Sequence, residues 1–152
     1  MSAYARFAAM IVTAVMVMYG VMYLNTYSLD HVYWSETRVY MAFLMGATMA
    51  VVMLFFMLHM YTKPAANITV LLAAVAIFAA ALYLVRSQRT IEDESWMRAM
   101  IPHHSIAILT SERAELSDPR VRELADQIIE SQRREIAEMK SLLRDLGDRE
   151  QN

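Results

Sequence analysis

The stretch VYMAFLMGATMAVVMLFFMLHM runs from Val39 to Met60 and contains no charged residue. About 20 consecutive apolar residues are enough for a helix to cross the hydrocarbon core of a bilayer. A helix of this composition needs lipid or other apolar helices on every side. The stretch therefore predicts a membrane-spanning helix at the centre of the fold.

Two further apolar stretches flank it, Phe7 to Leu24 and Ile68 to Val85. The short connection YTKPAAN makes the second and third spans an antiparallel hairpin, whereas the longer NTYSLDHVYWSET carries His31. Arg6 precedes the first span, but no small-x-small cleavage site follows it, so we expect an uncleaved anchor. The sequence thus predicts a multi-pass membrane segment with the lipid bilayer as a partner.

The composition changes at Arg86, after which charged residues are dense and mixed in sign. We therefore expect two domains, a membrane domain at 1–88 and a helical hairpin at 89–152. The net charge of −2 gives no electrostatic footprint for nucleic acid. The absence of cysteine excludes disulfides and thiolate metal sites, and 14 methionines supply thioethers instead.

The water-exposed segment predicts two helices joined by a turn, so the fold class is all-α. The first should run from about Glu92 to Leu116 and the second from Pro119 to about Leu146. Ser117 or Asp118 is the expected N-cap, with Pro119 at the first helical position. Gly147 is the expected stop signal.

The inner seams of this hairpin contain polar residues. On the second helix, spacings of four and three give Val121, Ala125, Ile128, Gln132, Glu135, Met139, Leu142 and Leu146. On the first, they give Met97, Met100, His104, Ala107 and Ser111, with His103 beside them. Folding about Ser117 brings His103 opposite Gln132 and Met100 opposite Glu135, with a slip of one turn left open. Buried imidazoles and carboxylates without partners are costly, so these side chains should pair with each other or with a metal.

The proline in the motif MIPHH, residues 100–104, supports the metal alternative. Pro102 lacks an N–H and displaces the carbonyl of Arg98, which loosens the helix before the two histidines. The candidate ligands are Met97, Met100, His103, His104, Gln132, Glu135 and Met139, with His31 as an auxiliary. Thioether and imidazole together suit copper, especially Cu(I), more than zinc or iron. Either histidine alone is more typical of a hydrogen-bonded core residue, whereas the two together with the surrounding methionines, Glu135 and Gln132 favour a metal site.

The segments WMRAMIPHHSIAILTSERA and DPRVRELADQIIESQRREIAEMKSLL resemble the DUF305 family over roughly Asp93 to Leu146. The resemblance implies a ferritin-like four-helix arrangement and a link to copper binding or tolerance in bacteria. It carries over to the same seven candidate ligands of the hairpin. One hairpin supplies only two helices, so two chains should pair as a homodimer or larger homo-oligomer to complete a bundle. Unlike the di-iron proteins of that architecture, the hairpin has no Glu three residues before either histidine.

The expected function is that of a membrane-anchored copper-binding protein in a bacterial inner membrane. One alternative is a copper transporter that uses the methionine stripe Met41, Met45, Met49, Met53 and Met57. Others are a metal-dependent redox enzyme and a structural dimerisation module. A hydrolase is disfavoured, because no third group suggests itself to orient Ser105 or Ser111 with a histidine.

Charge and ligand chemistry give opposite predictions for the side of the membrane on which the hairpin lies. Arg38, Arg86, Arg89 and Arg98 lie toward the hairpin side, and the positive-inside rule would place that side in the cytoplasm. Methionine and histidine sites without cysteine instead suit an oxidising, extracytoplasmic setting. We favour the extracytoplasmic placement.

Overall fold

The regular elements of this computed structural model, which describes residues 2–150, are α-helices and two short 3-10 turns, with no strand among those residues. The helices are α1 (Ala3–Val21), α2 (Glu36–Phe56), α3 (Pro64–Ser87), α4 (Asp93–Arg113) and α5 (Pro119–Glu150). The all-α prediction is confirmed, as is the order of three apolar helices followed by two amphipathic ones.

The chain divides into two compact units. The apolar unit comprises α1 and the chain from Thr37 to Thr90, and the hairpin unit comprises the loop Tyr23–Glu36 and the chain from Ile91 onward. The loop between the first two apolar helices therefore folds with the C-terminal hairpin. If α1, α2 and α3 each cross a bilayer, that loop and the hairpin must lie on the same side, which their shared unit satisfies.

Helices α1, α2 and α3 are each long and apolar enough to cross a membrane. Their shared core is small, since its buried members are Phe7, Ala50, Leu54, Tyr61 and Ala74. Few other side chains on these helices are buried, as is expected of helices whose surface faces lipid. The rings of Tyr61 and Phe7 meet edge to face with centroids 5.3 Å apart.

Gly46 marks the close approach of α1 and α2. A Cβ atom built at Gly46 would overlap a methyl group of Val15. The neighbouring Ala47 and Ala50 are buried, so small side chains line this side of α2. Small residues on one side of a helix allow such close packing in membranes.

The methionine stripe of α2 is divided between surface and core. Met41 is exposed, Met45 and Met49 are half-buried, and Met53 and Met57 pack against the apolar cluster. The last two therefore serve as core filling, for which the flexible thioether is well suited. Ion conduction along the stripe stays a prediction.

The hairpin unit is held by the contact of α4 with α5. Met97, Ile101, Ile108, Ile136 and Met139 form its buried core. Tyr33 of the loop packs against this core. Pro102 is fully buried, and α4 continues through it without a break.

The start of α5 is as predicted, but its end is not. Asp118 Oδ1 accepts the backbone N–H of Arg120 at 2.9 Å, as an N-cap does, and Pro119 is the first helical residue. Gly147 does not stop the helix, which continues to Glu150. Among the glycines described, none adopts the positive φ that ends a helix, so Gly147 is an ordinary helical residue.

The predicted seam of α5 is correct at alternate positions only. Met139 is buried, but Ile128 and Leu142 are 36% and 46% exposed. Their neighbours Ile129 and Leu143 pack against the core instead. Apolar residues form two adjacent stripes on α5, and spacing alone cannot decide which stripe faces α4.

Replacing Gly46 tests the contact between α1 and α2. Gly46→Ala should lower the free energy of unfolding by about 1–3 kcal/mol, because the added methyl displaces Val15. Gly20→Ala is the matched control, since no atom lies within 4 Å of its Cβ position. Thermal unfolding in detergent would measure both, and equal midpoints for the two variants would contradict the close approach.

Candidate metal centre

His104 lies on α4 with both ring nitrogens engaged. Its Nδ1 is 2.9 Å from the carbonyl oxygen of Met100, one turn earlier on the same helix. Its Nε2 is 2.7 Å from Oε2 of Glu135 on α5. The side chain of His104 is largely buried, whereas that of Glu135 is 43% exposed.

These two contacts indicate which ring nitrogen of His104 carries a hydrogen. A carbonyl oxygen can only accept, so Nδ1 must hold the hydrogen. In the neutral imidazole, Nε2 would then turn a lone pair toward a carboxylate oxygen. That arrangement is repulsive unless a proton lies between the two atoms, and their separation of 2.7 Å fits a proton. A metal ion would take the place of the proton only if the two atoms moved apart, because metal–nitrogen and metal–oxygen bonds are each about 2 Å long.

Glu135 is positioned by its own helix. Ser131, one turn earlier on α5, donates a hydrogen bond to Oε1 of Glu135 at 2.6 Å. That hydrogen bond and the one from His104 lower the pKa of Glu135. Glu135 is therefore held as a carboxylate with one oxygen satisfied by Ser131 and the other directed at His104.

The observed register of the hairpin differs by about one turn from the register predicted by folding the chain about Ser117. Glu135 contacts His104, whereas the predicted register placed Glu135 opposite Met100. A shift of one turn carries the contact from Met100 to the residue four positions later. The prediction that the polar break of α5 meets the histidines of α4 is confirmed for His104.

His103 points to a different environment from His104. It is exposed, and its ring centroid lies 6.0 Å from that of His104 at an interplanar angle of 66°. Gln132 is half-buried on α5, one turn before Ile136 of the core. The structure thus brings His104 and Glu135 together, and it leaves His103 at the surface.

The three methionines of the predicted cluster lie in or against the apolar core. Met97 and Met139 are 4% and 6% exposed, and both belong to that core. Met100 packs on its edge, one helical turn from His104 and on the same face of α4. Of the three methionines, Met100 is therefore the one that is only half-buried.

Within residues 2–150, no three His, Cys, Asp or Glu side chains converge on one point. The His104–Glu135 pair supplies two donors of that kind. Any further ligand to an ion held there would have to be a thioether, a carbonyl oxygen or a group from another molecule.

His31 contacts Ser105 of α4 rather than the His104–Glu135 pair. Its Nδ1 is 2.9 Å from Ser105 Oγ. The same hydroxyl oxygen accepts the backbone N–H of Tyr27 at 2.7 Å. Lys140 of α5 donates a hydrogen bond to Asp30, so the loop is fastened to both helices.

Sequence reasoning did not identify Ser105 and Lys140 as the partners of this loop. The available signal was a small hydroxyl at Ser105 between the apolar positions Ile101 and Ile108. Burial lowers the pKa of His31, and the nearby charge of Lys140 lowers it further. His31 is thus favoured as a neutral ring against the hairpin.

Ser105, His31 and Asp30 have the composition of a catalytic triad but not its geometry. Ser105 has no exposed surface, so its oxygen cannot reach a substrate. His31 Nε2 lies 3.8 Å from Asp30, beyond hydrogen-bond distance. The three residues hold the loop on the hairpin.

The hairpin is also the part of the chain that comparison with known proteins identifies. Residues 84–152 match the DUF305 family. The description of DUF305 is a domain of unknown function. The match includes α4 and α5, and it supports the resemblance seen in the paired helix motifs.

A relative of this chain occurs in Acanthamoeba polyphaga mimivirus under the description "Uncharacterized protein L153". It is 42% identical over 77 residues, which cover 49% of this chain and 51% of the relative. The chain thus spans about half the length of that relative. No solved structure matches the chain.

The contact of Asp30 with Lys140 predicts a pH dependence. The hydrogen bond from Lys140, with a second from Ser28, lowers the pKa of Asp30 to about 2. An unfolded Asp titrates near pH ~4, so this contact stabilises the hairpin unit above that pH. The stabilisation is lost as the pH falls toward about 2. Because Asp30 is exposed, the contribution should be below about 1 kcal/mol.

NMR titration of the Asp30 carboxyl carbon would measure this pKa directly. Lys140→Met should raise it toward the unfolded value, because the main hydrogen-bond donor is lost. Titration of wild-type Asp30 near pH ~4, or an unchanged value in Lys140→Met, would show that the loop is not fastened in this way.

Proposed function

We propose that this protein is a membrane-anchored copper-binding protein for copper handling or tolerance, with the ion held at the His104–Glu135 pair. The observation that carries the proposal is the orientation of the His104 ring. Nδ1 is fixed by the Met100 carbonyl, and Nε2 faces a carboxylate. Metal-binding histidines typically donate their other N–H to a carbonyl or carboxylate in this manner, which directs the free nitrogen at the ion.

The choice of copper rests on the donors around the pair. Imidazole binds copper, zinc and iron alike, whereas thioethers favour copper and especially Cu(I). Met100 lies one turn from His104 on the same face, and Met97 and Met139 lie in the adjoining core. We therefore expect His104 Nε2 and Met100 Sδ to bind the ion, with Glu135 as a direct or neighbouring partner and Gln132 close by.

The remaining coordination is proposed to come from a second copy of the chain. Exposed apolar side chains recur on α5 with the heptad spacing of a helix–helix seam, at Val121, Leu124, Ile128 and Leu142. Ser131, Glu135 and Glu138 continue the same series at its centre. A homodimer built on this stripe would bring two His104–Glu135 pairs toward one axis and complete a four-helix bundle.

The three apolar helices supply the proposed anchor. We place the protein in a bacterial inner membrane with the hairpin on the extracytoplasmic side. The absence of cysteine and the wealth of methionine support that side, because thioethers tolerate an oxidising compartment better than thiols. The arginines near the hairpin side of the chain weigh in the other direction.

Removal of either member of the pair tests the proposed copper site. We expect His104→Ala to abolish high-affinity Cu(I) binding and Glu135→Gln to weaken it roughly 10–100-fold, the usual effect of losing a partner of a ligating histidine. Competition with a chromophoric Cu(I) chelator, together with metal analysis, would measure both affinities.

His103→Ala is the matched control. Because His103 is exposed, its substitution should leave the affinity for Cu(I) near that of the wild type. Equal Cu(I) binding by the wild type, His104→Ala and Glu135→Gln would refute the proposal. Tighter binding of Zn(II) than of Cu(I) would replace copper with zinc as the ion of this site.

Substitutions on the exposed stripe of α5 test the proposed dimer. Leu124→Glu and Ile128→Glu should shift the protein toward monomer, because each places a charge in an apolar seam. Ala137→Glu is the matched control, because Ala137 is exposed and lies on the far side of α5 from the stripe at the helical spacing, so it should not change the association. Analytical ultracentrifugation in detergent would measure the mass, and a wild type that is monomeric at all concentrations would contradict the dimer.

A further inference from the structure

The apolar unit contains a cleft of about 510 Å³ among α1, α2 and α3. Phe7, Ala47 and Ala73 are among its lining residues, and its wall is almost wholly apolar. Val12 and Phe43 also line it and are about half exposed, so the cleft is open to its surroundings. Its volume falls within the ~300–1,000 Å³ of typical ligand sites.

The depth of the cleft corresponds to one leaflet of a bilayer. Its lining residues on α1 run from Tyr4 to Met16, a rise of about 18 Å at the helical spacing. From the Tyr4 side, the lining on α2 and α3 reaches Phe43 and Ile77, a little past the middle of each helix. One half of a hydrocarbon core measures about 15 Å, so the cleft reaches from one edge of the apolar unit to its middle.

Tyr4 marks the edge at which the cleft begins. Its hydroxyl donates to Asn67 Oδ1 at 2.9 Å and accepts the backbone N–H of Lys63 at 3.1 Å. Its ring lies against that of Tyr61, with centroids 5.3 Å apart. Tyrosines with an apolar body and a hydrogen-bonded hydroxyl are typical of the level of lipid headgroups.

The charges at this edge are all positive. Lys63 is exposed beside Tyr4, whereas Arg6, also exposed, lies at the same level on the face of α1 opposite the lining residues. No Asp or Glu occurs in residues 2–22 or 37–90, which make up the apolar unit. The mouth of the cleft is therefore suited to an anionic group, and cations near a membrane surface favour anionic lipids by about 1 kcal/mol each.

We propose that this cleft binds one acyl chain of an anionic phospholipid, whose headgroup lies at Lys63. The apolar lining, the depth of one leaflet and the positive mouth each match a part of such a lipid. A second copy of the chain fits the cleft less well. In the same membrane orientation it would bring its own Arg6 and Lys63 to this edge, where like charges repel.

Native mass spectrometry of the full chain would test the proposal, after extraction from bilayers with equal amounts of phosphatidylglycerol and phosphatidylcholine of the same acyl chains. The wild type should retain one phosphatidylglycerol in preference to phosphatidylcholine. Lys63→Gln should reduce that preference about five-fold, the ratio that corresponds to ~1 kcal/mol per cation, and Arg6→Gln, on the opposite face of α1, should reduce it less. Ala73→Phe should reduce retention of both lipids, because its ring fills the cleft.

Ala79→Phe is the matched control, since Ala79 is an exposed alanine of α3 outside the cleft, and it should retain lipid as the wild type does. Thermal unfolding of all four variants would verify that they are folded. Equal retention of the two lipids by the wild type, or equal retention by Ala73→Phe and Ala79→Phe, would overturn the proposal. A wild-type dimer that Ala73→Phe dissociates and Ala79→Phe does not would show that a second chain occupies the cleft instead.

Discussion

The hydrogen bond between His104 Nε2 and Glu135 Oε2 determines how the two helices of the hairpin are paired. An imidazole that is largely buried needs a polar partner, and α4 supplies only the Met100 carbonyl for one of its two nitrogens. The second nitrogen is satisfied when Glu135 lies at the same height on α5. This pairing sets the register in which Met97, Ile136 and Met139 pack as the core.

The same interaction connects the fold to the proposed chemistry. Ser131 holds one oxygen of Glu135, and the carbonyl of Met100 holds one nitrogen of His104. The remaining oxygen and nitrogen therefore face each other and require a positive species between them. In a protein rich in thioethers, a soft metal ion is a reasonable substitute for the proton, and the exposed stripe of α5 offers a way for a second chain to add donors.

Hydrophobic length and local spacing predicted most of the architecture. A run such as Val39 to Met60 can form little else than a membrane-spanning helix, and the turn chemistry of Asp118 and Pro119 gave the start of α5. What spacing could not predict was the choice between two apolar stripes, so Ile129 and Leu143 replaced Ile128 and Leu142 in the core. Local spacing also could not predict the contact of the loop with Ser105, because that contact joins residues far apart in the chain.

The site was predicted only in part, because the spacing of residues does not determine the exact register of the hairpin. Both His104 and Glu135 were expected to face each other within one turn, and the register decided between His104 and His103. Nitrogen NMR of His104 in the metal-free chain and during titration with Cu(I) tests the central claim most directly. The account predicts that Nδ1 keeps its hydrogen throughout and that Nε2 shifts as the ion is added. A neutral ring with its hydrogen on Nε2, or a shift at His103 while His104 stays unchanged, would contradict it.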